Sequence, residues 1–289
     1  MDSNADSPLA TFAVSRSVAV EWAALGTAGF VVALFALGGL YATVTGQSEA
    51  GFSFSLSDTH GALVNLALAL LLSGGVIVVH ELVHGVVMSH YGGRPSYGAG
   101  VAHFVLPYAY ATSDTAFSRN QFIVIALAPV VVITAVGVPV MFALSWPALL
   151  LPLALNIGGA VGDLWMVTTL RRFPTSVTVV DDATGLSVYG DAADTPPAQP
   201  RGVVRAAAMG FGVSVGILIL LALLAPILLD VAGVTALSLG PPETPWSIFQ
   251  FESGPDGFSS SLGLGGILGV SGAVGLAYGL FAAGRTPTA

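Results

Sequence analysis

The chain has 289 residues, of which 54% are hydrophobic and only 8% are charged, and that charged fraction is about a third of what a soluble domain carries. Too few charges are present to cover an aqueous surface, which excludes an ordinary soluble protein. The absence of cysteine excludes disulfides, thiolate metal sites and cysteine nucleophiles. The net charge of −8 argues against nucleic acid as a partner.

Apolar stretches long enough to cross a bilayer recur along the chain. A helix rises ~1.5 Å per residue, so about 20 apolar residues span ~30 Å of hydrocarbon. Six such spans are predicted: Trp22–Val44, Ala62–His90, Phe122–Leu144, Ala148–Leu170, Val203–Leu229 and Leu262–Ala283. Only Ser145-Trp146-Pro147 joins the third span to the fourth, which predicts a tight turn. We therefore expect an all-α membrane protein in a lipid bilayer.

The arginines predict how these spans are oriented. All eight basic residues are Arg, and they fall before the first span, in alternate loops and after the last span. Cytoplasmic loops collect basic residues, whereas loops 45–61 and 230–261 contain acids and no base. Residues 1–18 lack the basic start of a signal peptide, so we expect the first helix to be retained. Both termini are predicted to be cytoplasmic in a protein integral to the cell membrane.

Two segments on the predicted cytoplasmic side are more than connectors. The apolar stretch Tyr97–Thr112 is too long for a simple turn, and it either re-enters the membrane or lies as a loop on its interface. Thr175–Val180 and Leu186–Tyr189 alternate like strands around a turn. Residues 171–202 therefore predict a small cytoplasmic β-hairpin followed by a Pro-rich linker.

The second span carries the motif His80-Glu81-Leu82-Val83-His84. Histidines at i and i+4 lie on one helix face about one turn apart, so both imidazoles can reach a single Zn²⁺. The adjacent Glu is placed to act on the attacking water. Ionisable groups inside a span are rare and usually functional. His80 and His84 are therefore predicted metal ligands, and Glu81 is the predicted catalytic residue.

A catalytic zinc site normally has a third protein ligand. Asp163 is favoured because it is the one acid inside another predicted span, about two turns from the cytoplasmic end. His90 is an alternative because it follows His80 by ten residues, as the third histidine does in the H-E-x-x-H-x-x-G-x-x-H class of zinc sites. The Gly that turns the chain in that pattern is replaced by Val87 here. His103 is a second alternative and a possible substrate contact. Asn156 shares a helix face with Asp163 and is predicted either to bond between helices or to contact the substrate or transition state.

These residues resemble the family of polytopic membrane proteins described as putative zincin peptidases, which is similar in outline to the site-2 intramembrane metalloproteases. The resemblance is carried by His80–Gly85, Tyr91–Pro95, Tyr108–Thr112, Ala126–Pro129, and Asn156 with Asp163. It implies that Asp163 is the third zinc ligand. The sequence departs from the site-2 pattern because Asn156 and Asp163 are one residue closer, no Pro separates them, and Leu164 replaces a Gly.

The sequence thus predicts a zinc-dependent peptidase that hydrolyses membrane proteins near the cytoplasmic leaflet. We expect one polytopic domain over residues 1–289, with a metalloprotease-like core at about 61–180. One rival function is a non-catalytic scaffold or chaperone, which would not need Glu81. Another is an ion-coupled transporter that uses His80, Glu81 and Asp163 as a path and holds no zinc. The expected partners are a membrane-protein substrate and the bilayer.

Overall fold

The fold is mostly helical and includes two antiparallel sheets. The computed structural model describes residues 7–46, 53–55, 59–102, 106–182, 185–194, 202–241, 244, 246–255 and 257–284. Within these ranges the α-helices are α1 Arg16–Thr45, α2 Thr59–His90, α3 Arg119–Ala143, α4 Leu150–Gly159, α5 Val161–Leu170, α6 Val203–Val231 and α7 Leu264–Ala283. The strands are β1 Ala10–Ala13, β2 Ser53–Ser55, β3 Ser96–Ala102, β4 Leu106–Ser118, β5 Thr178–Asp182, β6 Gly185–Tyr189, β7 Ala236–Leu239, β8 Phe249–Gly254 and β9 Gly257–Leu262.

Six helical stretches of the described chain are long and apolar enough to cross a membrane. They are Arg16–Thr45, Ala67–His90, Arg119–Ala143, Pro147–Leu170, Val203–Val231 and Gly265–Ala283. This finding confirms the number and order of the predicted apolar spans. The fourth stretch consists of a short 3₁₀ turn, α4 and α5. The predicted tight turn before it is also confirmed, since Ser145 adopts a φ of 50° there and Trp146 N–H donates to the Met141 carbonyl at 2.9 Å.

The chain divides into two compact units. The first contains residues 1–23 and 73–200, and the second contains residues 24–72 and 201–289. All the described residues predicted to form the metal site belong to the first unit.

The sheet of the first unit has the strand order β1-β6-β5-β4-β3. Its β5–β6 pair, with Val180 opposite Ser187, confirms the predicted hairpin. The sheet is larger than the single small hairpin expected of an all-α class, because β1, β3 and β4 also join it. β1 and β4 join it through partners that lie far away in the sequence, with Ala10 opposite Val188 and Ser113 opposite Asp181, so local pattern alone did not reveal these pairings.

The segment expected to re-enter the membrane or to form a loop is a β-hairpin. β3 pairs with β4 in a register that places Gly98 opposite Tyr110 and Gly100 opposite Tyr108. Each tyrosine ring lies over the glycine opposite to it, in the space that a glycine Cβ would need. Cross-strand pairs of this kind stabilise a sheet whose glycines contribute no side-chain packing of their own. The segment is therefore regular β-structure rather than an irregular loop.

A buried cluster joins this sheet to the helices of the first unit. Its members are Met88, Phe117, Phe122, Ile125, Ala126, Val167, Leu170, Phe173, Val177, Val179, Leu186 and Val188. The junction between β4 and α3 lies inside it and is closed by a capping box, in which Ser118 and Gln121 bond to each other's backbone N–H. This box fixes where α3 begins and therefore which of its residues face α2.

The second unit contains the rest of α1 together with α6, α7 and a sheet of order β2-β9-β8-β7. Gly212 of α6 lies against the backbone of Ala24, and Gly275 of α7 lies against Ala207. Small residues at such crossings allow apolar helices to approach closely. Val31, Val215 and Ile267 form the buried centre of this unit.

Replacing Phe117 with alanine tests the cluster of the first unit. Phe117 is buried, so we expect Phe117→Ala to lower the free energy of unfolding by about 3–5 kcal/mol, measured by reversible unfolding in detergent. Phe281 makes the matched control because it is exposed, and Phe281→Ala should cost less than about 1 kcal/mol. Equal losses for the two variants would contradict the assignment of this core.

Candidate metal site

Helix α2 brings two imidazoles together inside the protein. His80 and His84 are one helical turn apart, their ring centroids are separated by 4.9 Å, and their exposed fractions are only 9% and 7%. Burial of two polar rings is costly unless their nitrogens find partners. Each ring nitrogen therefore has to be accounted for.

Asp163, near the start of α5, faces both histidines. Its Oδ2 lies 3.1 Å from His80 Nε2, and its Oδ1 lies 3.3 Å from His84 Nε2. Asp163 is itself buried, with 8% of the residue exposed. The ligating atoms of the three residues lie within 4.8 Å of one another, and the group could hold a metal ion.

The other nitrogen of each imidazole bonds to an oxygen that can only accept. His80 Nδ1 lies 2.9 Å from Asn156 Oδ1, and His84 Nδ1 lies 2.9 Å from the backbone carbonyl of Ile125. Each Nδ1 must therefore carry the proton and donate it. In the neutral ring the Nε2 lone pair then points at Asp163, which is the tautomer that a metal ligand requires.

This arrangement fits a cation. Two lone pairs facing a buried carboxylate repel it unless a positive charge lies among them. Ligands about 2.0–2.2 Å from a tetrahedral zinc lie about 3.3–3.6 Å apart, and the imidazoles and the carboxylate are separated by the slightly shorter distances of 3.1 and 3.3 Å. Two His and one carboxylate are also a donor set of catalytic zinc, which keeps one position open for water or substrate.

Glu81 lies beside the three residues without belonging to the group. It is partly buried, its carboxylate is close enough to His80, His84 and Asp163 to interact electrostatically with each, and the backbone N–H of Ala111 in β4 faces it. A carboxylate held next to a metal site, but outside its ligand set, is free to accept a proton from water.

The structure places the other candidate site residues as follows. His90 is exposed at the end of α2, and its ring contacts Tyr91 at a centroid distance of 5.3 Å, so it is not part of the group. His103 lies outside the described residues. Asn156, which was expected either to bond between helices or to contact the substrate or transition state, directs its amide oxygen from α4 at His80 of α2.

Sequence reasoning missed three contributors: Ile125, Ala111 and Thr134. The first two act through a backbone carbonyl and a backbone N–H, which residue type does not reveal. Thr134 Oγ1 lies 3.5 Å from Asn156 Nδ2 and is a weak acceptor for the amide group whose oxygen faces His80.

Two histidines and an aspartate buried among apolar helices define a candidate metal centre in a mostly helical protein. Residues 74–178 match the model of the family described as "Putative zincin peptidase". The match covers the described residues of the site and suggests a metal-dependent peptidase, and the zincin name implies zinc.

One curated protein with a similar sequence comes from Pyrococcus woesei and bears the name "Uncharacterized 24.7 kDa protein in gap 5'region". The two sequences are 27% identical over 136 residues, which is 46% of this chain and 58% of the relative. The chain therefore spans a little over half of that relative's length. No solved structure matches the chain.

Removing one ligand tests the metal site. We expect the purified protein to carry about one zinc per chain, and His80→Ala or Asp163→Ala to lose it, because two remaining ligands cannot complete the site. Elemental analysis by mass spectrometry gives the zinc content directly. His90→Ala is the matched control, since it removes an exposed imidazole from the same helix; zinc loss in this variant equal to that of His80→Ala would contradict the assignment.

Proposed function

We propose that the protein is a zinc-dependent intramembrane peptidase that hydrolyses membrane proteins near the cytoplasmic leaflet. One observation carries the proposal: the Nε2 atoms of His80 and His84 face the same buried carboxylate while both Nδ1 atoms are held by acceptors. The zincin match over residues 74–178 supports the same chemistry.

The surfaces of the helices support placement in a bilayer. In the most apolar part of each of the six helical stretches, only 17–39% of the residues are buried by protein. Large apolar side chains such as Leu71 and Val86 are 71% and 68% exposed. Soluble proteins rarely expose continuous apolar faces of this kind. The arginine distribution favours a cytoplasmic position for Arg171, and Asp163 lies about two turns further into the membrane.

The residues of the site divide the work of amide hydrolysis. Zinc held by His80, His84 and Asp163 would polarise the scissile carbonyl and make a water more acidic. Glu81 accepts the proton of the attacking water and delivers it to the leaving amine. We expect the Ala111 N–H, which faces the Glu81 carboxylate, to help orient it during this transfer, so that β4 contributes to the chemistry as well as to the fold.

A substrate helix would have to unwind before cleavage because its carbonyls are already hydrogen-bonded within the helix. β4 has an edge suited to hold the unwound chain. Its pairing with β5 runs from Ser113 to Ser118, whereas Ala111 directs its N–H at Glu81. Backbone N–H groups of alternate residues point to the same edge of a strand, so Ala109 and Ala111 share this edge. An extended substrate paired there would lie next to the base.

Replacing Glu81 with glutamine tests the catalytic role. We expect Glu81→Gln to keep the bound zinc and to lower cleavage by about 10²–10⁴-fold, because an amide cannot take the proton of water. The readout is the set of membrane-protein fragments that are found in cells expressing the wild type and are missing from cells expressing Glu81→Gln. Glu252→Gln is the matched control because Glu252 is exposed, and it should cleave normally.

Two results would favour the rival functions. If Glu81→Gln retains zinc and every cellular function, a non-catalytic scaffold or chaperone is favoured. Ion flux across vesicles containing a zinc-free wild-type protein would instead favour a transporter.

A proline at Ala109 tests the strand edge. Ala109→Pro removes one backbone donor from the proposed substrate edge, and proline is tolerated at strand edges. We expect it to lower cleavage of a substrate identified through Glu81→Gln while leaving the zinc content unchanged. Ala109→Ser keeps the N–H and should cleave as the wild type does. Undiminished cleavage by Ala109→Pro would remove the edge from the mechanism.

A further inference from the structure

The carbonyl that holds His84 belongs to the middle of a helix. Ile125 lies within α3, where a carbonyl normally accepts the N–H of the residue four positions later. That residue is Pro129, and proline has no N–H. The Ile125 carbonyl is therefore left without its helical donor, and His84 Nδ1 lies 2.9 Å from it.

Because the site is buried, water is not available to replace the missing helical donor to the Ile125 carbonyl. Ile125 and Pro129 are both buried in α3, and His84 is buried in α2. A buried carbonyl without a donor is costly, so the imidazole Nδ1–H and the carbonyl satisfy each other. The resulting bond fixes both the direction of the ring and the tautomer that leaves Nε2 free.

We propose that Pro129 is a positioning residue of the metal site: by omitting one helical N–H, it reserves the Ile125 carbonyl for His84. This inference rests on the proposed zinc function. Restoring the N–H at position 129 would let the helix recapture the carbonyl, and His84 would then lose the acceptor that orients it.

Helix α3 supports the other histidine as well. Thr134 Oγ1 lies 3.5 Å from Asn156 Nδ2, and Asn156 Oδ1 accepts from His80 Nδ1. His84 is held by α3 directly, and His80 is held through one intermediate amide. The geometry of α3 around Pro129 therefore affects His84 more strongly than His80.

The same helix provides a matched control. Pro139 also lies inside α3, but it is exposed and ten residues further along the helix. Pro139→Ala restores one helical N–H, as Pro129→Ala does, without supplying a donor to the Ile125 carbonyl.

The test measures zinc affinity by chelator competition and the d–d absorption spectrum of the Co²⁺-loaded protein, both on the full chain in detergent. We expect Pro129→Ala and the bulkier Pro129→Val to weaken zinc binding by about 10–100-fold. Both variants should change the Co²⁺ spectrum, which reports ligand geometry. Pro139→Ala should remain within about twofold of the wild type.

Four outcomes would overturn the inference. The first is unchanged affinity and spectrum in both Pro129 variants. The second is an equal loss in Pro139→Ala, which would assign the effect to helix bending in general. The third is evidence that Pro129 serves packing instead. Such evidence would be a loss of zinc affinity in Pro129→Ala that Pro129→Val repairs, or failure of both Pro129 variants to fold while Pro139→Ala folds. The fourth is a wild type that binds no zinc, which alone among them would also refute the proposed function.

Discussion

The structure of the first unit depends on one constraint: two imidazoles and a carboxylate are buried together, and each of their polar atoms needs a partner. Asp163 faces both Nε2 atoms, so acceptors must come from elsewhere for the two Nδ1 protons. Asn156 and the Ile125 carbonyl provide them. These partners lie on α3, α4 and α5, so the helices must converge on α2 at the depth of the motif.

The sheet of the first unit also contributes to the site. β4 leads directly into α3 through the capping box at Ser118, so no linker separates the strand from the helix. Ala111 near the middle of β4 reaches Glu81, and Tyr97 of β3 places its hydroxyl against Gly85 of α2. The candidate metal ligands thus face only helices, whereas the proposed base, Glu81 of α2, also faces a strand.

Apolar surroundings explain why so few polar residues are enough. A polar group buried away from water interacts strongly with its neighbours and is costly when it is left unpaired. The buried cluster that joins the sheet to these helices consists of apolar side chains. A small set of paired polar atoms in such an environment has one favourable arrangement, which is the preorganisation that metal catalysis requires.

The sequence by itself determined the local features. Six apolar helical stretches, the turn at Ser145 and the β5–β6 hairpin follow from length, hydropathy and alternation, because these signals lie within a few neighbouring residues. It also indicated that Asp163 would lie near His80 and His84, since an acid inside an apolar helix needs a partner.

Only the tertiary structure decided the long-range features. The five-stranded sheet depends on pairings between distant segments, Ala10 with Val188 and Ser113 with Asp181, and local periodicity does not specify such a register. The direction of the Asn156 amide toward His80 depends on how α2 and α4 pack. The Ile125 carbonyl could not be recognised from its side chain, because the contributing atom is backbone and its availability comes from Pro129, four residues away. Residue type identifies the chemistry of each side chain, whereas the partners of backbone groups are decided only when the helices pack.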